Sequence, residues 1–233
     1  MTRDRIWLDV TFADKDDAKA AGARWDLQVR RWYAPHAGMT ALDRWVARPP
    51  LPDLLPGEDR SFGAGLFVDL VPESCWFTNA RSCISSRDWE RVRRMIVGRA
   101  EARCEVCGAE RDASVQRWLE VHERWAFDEA TMTQSLRRLI CLCSDCHRST
   151  HFGLATVRGT SAQARAHLRD VTGMSHSEVE SHIASAFTVW RRRSLYAWHL
   201  DLTSLTDAGI ELSLPDAASR PEASASGLRS SSR

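Results

Sequence analysis

Lysine is almost missing from this chain. Lys15 and Lys19 stand beside 30 arginines, and 31 acidic residues bring the net charge to +1. That balance excludes a nonspecific polycation, so any contact with nucleic acid has to be a local patch, for which the bidentate arginine fork is well suited. Long apolar runs are missing as well. None approaches the roughly 18 to 20 residues that span a bilayer, and no membrane partner is expected. The opening MTRDRIWLDV has no apolar stretch of the secretory kind, which leads to the expectation of a cytoplasmic protein. Disulfides are rare in that reducing setting, so the seven cysteines read as thiols or metal-bound thiolates. Asparagine is reduced to one residue, Asn79.

What remains is enough for a real hydrophobic core, and 233 residues fit two small domains better than one large one. DRIWLDVTF alternates apolar and polar positions over residues 4 to 12, which predicts a half-buried strand. ADKDDAKAAG predicts a short helix ended by Gly22, ARWDLQVRRWYAP a turn and second strand, and GMTALDRWVA another short helix. Residues 1–47 thus form a small αβ module, in which Trp7, Trp25, Trp32 and Trp45 supply a core or a binding face. ARPPLPDLLPGEDRS is proline-rich and predicts a semi-rigid linker over 48–61. Residues 62–213 make the second domain, and 214–233 have the composition of a disordered tail.

The stretches RIWLDVTFADKDDAKAAGARWD and RRWYAP resemble a small domain of unknown function found in plasmid-transfer primases and other DNA-processing proteins. That likeness implies a nucleic-acid or partner-binding appendage and carries no catalytic role.

Within the second domain FGAGLFVDLVP predicts a strand, and Cys75 and Cys83 read as small buried apolar groups. SRDWERVRRMIVGRAEAR predicts a helix over 86–103 with six arginines against three acids, either a solvated face or a phosphate contact. SAQARAHLRDVTG and SHSEVESHIASAFTVWRRRSLYAW predict two later helices, the second with an apolar stripe at Val179, Ile183, Phe187 and Trp190.

Between these helices lie two C-x-x-C pairs, Cys104/Cys107 and Cys143/Cys146, with 35 residues between Cys107 and Cys143. Two intervening residues let both sulfurs of a pair reach one ion, so the four predict a structural zinc site. Cys141 lies outside that spacing and reads as packing. RWLEVHERWAFD predicts a strand carrying His122, RRLICLC a return strand, and the residues after Cys146 a helix whose His147 and His151, four apart, project from one side.

The segment from Cys104 to His151, with its LCSDCH junction, resembles the HNH endonuclease family in its zinc-stapled form. The resemblance implies an α+β chain whose second domain is a zinc-stabilised ββα-metal, treble-clef-like fold with flanking helices. It implies a metal-dependent endonuclease that hydrolyses phosphodiester bonds, DNA being favoured over RNA. It also implies a second, catalytic divalent ion such as Mg2+, Mn2+ or Zn2+, with ligands among His122, His147 and His151.

The family's paired first-strand residues are replaced here by EVHER. Two orders stay open: His122 as a ligand with Glu123 as general base, or His122 as base with Glu120 as a ligand. Strand alternation puts Glu120 and His122 on one face and Glu123 on the other, among Leu119, Val121, Trp125 and Phe127. The family's asparagine is missing. Arg138 stands in its place, either clamping the scissile phosphate or marking lost catalysis, with Gln134 or Ser135 left to order the loop. A catalytically silent zinc module that binds nucleic acid or a protein partner is therefore the alternative function.

Overall fold

The computed structural model describes residues 5–76 and 79–213, so the predicted tail lies outside the described residues. The chain is mixed α+β and holds two three-stranded sheets. The first contains β1 (Ile6–Leu8), β2 (Arg24–Asp26) and β3 (Arg31–Ala34), with β3 in the centre and antiparallel to both neighbours. Helix α1 (Lys15–Ala20) and a 3-10 turn over Thr40–Trp45 cover one face, burying Leu8, Ala18, Ala34, Leu42 and Trp45. The strand predicted over 4–12 is only three residues long; its pairing with β3 ends at Leu8, and its other edge pairs with residues 45–47. Gly22 ends the α1 turn at φ 99°, and a Cβ there would come within 2.7 Å of the Met39 terminal methyl carbon.

The region predicted as a linker is packed down. Leu51 and Leu55 are buried in the same core as Val92 and Ile96 of α2 (Ser86–Arg99). Glu58 is buried with them, its carboxylate 2.6 Å from the Arg99 guanidinium. The stretch forms no helix or strand, yet two leucines four apart and a carboxylate facing a buried arginine give it a surface to hold. FGAGLFVDLVP forms no strand either. Gly63 and Gly65 take positive φ there, and the Val68 and Asp69 amides donate to His182 Nε2 and the Thr150 carbonyl rather than to a neighbouring strand.

Helix α2 starts at Ser85, whose hydroxyl accepts from the Asp88 amide, and ends at Arg99 rather than at 103, since Glu101 and Ala102 adopt positive φ. Its arginines neither form a free basic face nor simply point to solvent. Arg87 donates to the Arg44 and Val46 carbonyls, Arg91 to Asp88 and the Pro49 carbonyl, Arg94 to Asp9, and Arg99 to Glu58. They tie the N-terminal module and the 48–59 segment to the helix.

The second sheet is a long antiparallel hairpin, β4 (Leu119–Asp128) and β5 (Thr133–Cys143), with the short β6 (His199–Asp201) parallel to β5. One hairpin face, carrying Val121, Trp125, Leu139 and Cys141, packs on α2. The other carries Ile140 and Leu142 and is covered by α3 (Ser144–Thr150), α4 (Phe152–Val157), α5 (Ser161–Thr172) and α6 (His176–Arg193). Val179, Ile183 and Trp190 of α6 are buried. A last turn, α7 (Thr203–Thr206), adds Leu205 to the α2 side. Opposite β4 the outer edge of β5 is closed by side chains: the Leu139 amide donates to Glu58 and the Cys141 amide to Glu105. A strand edge left open would invite pairing with another chain.

Candidate metal centre

Cys104, Cys107, Cys143 and Cys146 converge so that their sulfur atoms lie within 4.8 Å of one another. Each pair is shaped by its backbone. In the first, the Gly108 amide donates to the Cys104 carbonyl with Gly108 at φ 73°; in the second, Cys143 caps α3 and its sulfur accepts from the Cys146 amide. Contacts with Cys143 and Cys146 push the Cys104 thiol down, while contact with Cys104 pushes Cys143 up to about 12, and contacts with Cys104 and Cys143 push Cys146 higher still. Such crowding asks for a cation between the sulfurs, and the site is compatible with a structural zinc. His167 of α5 places Nε2 3.1 Å from the Cys146 sulfur. Nothing in the sequence marks this contact, because it joins residues 21 apart on two different helices. Cys141 is fully buried in the α2 core, outside the cluster.

On the same end of the hairpin β4 delivers His122, α3 delivers His147, and the turn between α3 and α4 delivers His151. The three ring centroids are 5.4, 4.8 and 4.6 Å apart, and one nitrogen from each ring lies within 4.8 Å of the others. His122 is only 3% exposed, and neither of its ring nitrogens has a hydrogen-bond partner. A buried imidazole with two orphaned nitrogens is costly unless a missing ligand satisfies one of them. Burial pushes all three rings below the ordinary histidine value, His147 to about 4 and His151 to about 3, with nearby like charges adding to the effect. They are therefore neutral at physiological pH, the form that ligates a metal. Glu120 Oε2 lies 3.3 Å from His147 Nδ1, leaving Nε2 as the nitrogen free for a metal.

His147 and His151 line a cleft of about 500 Å3, together with Glu120, Arg148, Arg158 and Thr160. Arg124, fully buried two residues beyond His122, adds positive charge behind the cluster; it stacks on Phe67 4.1 Å away and contacts the Gly65 carbonyl.

Glu123 and Arg138 do not join this centre. Glu123 is on the α2 side of β4, where it accepts from the Ala80 and Arg81 amides; burial pushes its carboxyl above the ordinary value. Arg138 turns to Glu105 at 3.1 Å and to the Phe62 carbonyl. Neither stands with the histidines, because each is committed to pinning a loop against the hairpin. Gln134 and Ser135 lie inside β5, paired with β6, rather than in a loop.

The N-terminal module has known relatives. Residues 5–47 match the family model described as a domain of unknown function (DUF5710). The chain is 44% identical over 55 residues to DNA primase TraC from Escherichia coli, a match that covers 23% of this chain and 5% of the primase. The shared stretch is thus a small part of the primase, and it fits the module read from RIWLDV and RRWYAP. No solved structure matches the chain. No helix among the described residues is long and apolar enough to cross a membrane.

Proposed function

We propose that the chain is a metal-dependent endonuclease of the HNH type, acting on DNA at the cleft beside His147 and His151. The observation that carries this reading is the trio His122, His147 and His151, brought from a strand and the following helix to within ligand distance of one another, with both nitrogens of His122 unpartnered. The hairpin β4–β5 followed by α3 has the element order of a ββα-metal site, and the four cysteines staple its base.

A divalent cation bound at the imidazoles would supply Lewis-acid polarisation of a phosphodiester oxygen. The chain's own residues do the rest. Glu120 accepts from His147 and fixes its ring. Arg158, exposed on the cleft wall and without a carboxylate partner among the described residues, offers its guanidinium to a phosphate. Of the two orders open in EVHER, this favours His122 as a ligand, and it leaves Glu120 rather than Glu123 as the carboxylate near enough to take a proton from water.

A second reading has its own support: Glu123 and Arg138 are committed elsewhere, which suits a zinc module without catalysis. Plasmid nicking in the presence of magnesium, manganese or zinc, run beside His147→Ala, separates the two. Metal-dependent nicking that disappears in the variant supports the nuclease. No nicking with any metal, or nicking unchanged in the variant, leaves the silent module.

A further inference from the structure

Two aromatic rings of the N-terminal sheet are not part of its core. Trp7 and Tyr33 pair across β1 and β3 on the face opposite Leu8, with ring centroids 6.1 Å apart in an edge-to-face arrangement. Their other neighbours are cations: the Arg5 guanidinium lies 4.6 Å over Tyr33, and that of Arg31 lies 5.5 Å over Trp7. Arg24 stands opposite Tyr33 on β2, completing a row Trp7, Tyr33, Arg24 across the three strands. Arg24 is exposed and has no carboxylate partner among the described residues.

The charge on this face is one-sided. Asp26 is taken by Arg5 at 2.5 Å, and the buried Asp9 is shared by Arg31 at 3.4 Å and by Arg94 of α2 at 2.8 Å. Four arginines thus meet two aspartates, an excess of two positive charges around two half-buried rings outside the module's core.

We propose that this face is a docking surface for single-stranded DNA. Unpaired bases stack on aromatic rings and guanidinium planes whatever their sequence, while an arginine-lined sheet follows the phosphates; a duplex keeps its base faces hidden from a flat sheet. DNA is the occupant because this face offers ring stacking and phosphate contacts, and neither draws on the 2′-hydroxyl through which a protein selects RNA. This surface is independent of the cleft at His147 and stands whether or not the chain cleaves.

The test is fluorescence anisotropy of the full chain with an oligothymidine of about 15 nucleotides, within the usual site size of such surfaces. It is run in EDTA so that cleavage plays no part. The expected result is that the single strand binds more tightly than the same length of duplex or of oligouridine. Arg24→Glu and Tyr33→Ala weaken it by roughly five- to a hundredfold, the range for one stacking ring or lost charge. Tyr33→Phe keeps the ring and binds as the parent does. Thermal melts matching the parent show that Arg24→Glu has not unfolded the module. Equal or tighter binding of duplex or of oligouridine, or unchanged binding by Arg24→Glu and Tyr33→Ala, overturns the proposal.

Discussion

His122 and His151 meet edge to face with ring centroids 4.8 Å apart, one from the middle of a strand and one from the end of the helix that follows. The strand holds its histidine rigidly in the sheet, and the helix with the turn that ends it brings two more over it. Rigid elements of this kind set ligand positions better than loops do.

The cysteine cluster is expected to hold one zinc per chain that survives gel filtration, measured by elemental analysis. Cys107→Ser is expected to lose it and to melt without a cooperative transition, since structural zinc in small folds is worth about 10 kcal/mol or more of apparent binding energy. A chain that keeps its melt without zinc contradicts a structural role.

His167 Nε2 lies 3.1 Å from the Cys146 sulfur, where an N–H would stabilise the thiolate without ligating the ion. His167→Ala is expected to weaken zinc binding by about 10- to 100-fold in a chelator competition, while the far-ultraviolet dichroism of the loaded protein is unchanged. Equal affinity in the variant removes His167 from the account.

Glu58 makes a pH prediction. Burial alone would raise its carboxyl, but hydrogen bonds from Arg99 and the Leu139 amide, with the Arg99 charge, hold it below the ordinary value of 4.5. The stability this contributes is complete above the unfolded value and is lost as pH falls through the lower folded one. Glu58→Gln is expected to flatten that acid limb and to cost about 3 kcal/mol near neutrality, because Arg99 is left buried without its charge partner. Urea melts between neutral pH and about pH 3 check both; parallel curves for parent and variant contradict it.

The two glutamates of EVHER are expected to separate. If the protein nicks DNA, Glu120→Gln lowers the rate by roughly a hundredfold, within the usual range for a general acid or base. Glu123→Gln leaves the rate within about threefold and lowers the melting temperature instead. The reverse pattern returns the catalytic role to Glu123.

Much of the centre is legible in the sequence because its signals are local. The C-x-x-C spacing names the four sulfurs, the four-residue step from His147 to His151 puts both on one side of a turn, and alternation in LEVHERWAFD separates the face of His122 from that of Glu123. What escapes the sequence depends on partners far along the chain. Arg138 looks available until Glu105, 33 residues earlier, takes its guanidinium. Leu51 and Leu55 look like linker residues until α2 offers them a core. His167 carries no motif at all, and α2 reads as a basic face only while the acceptors of its arginines in the N-terminal module are out of view.

The central claim is that His122, His147 and His151 together hold a divalent ion distinct from the one among the cysteines. Its most direct test is equilibrium dialysis against zinc or manganese with metal counted per chain. Two ions in the parent, falling to one in both His147→Ala and His151→Ala with the cysteine-bound zinc retained, is the predicted result. A parent that takes up only one ion, or variants that still take up two, contradicts it.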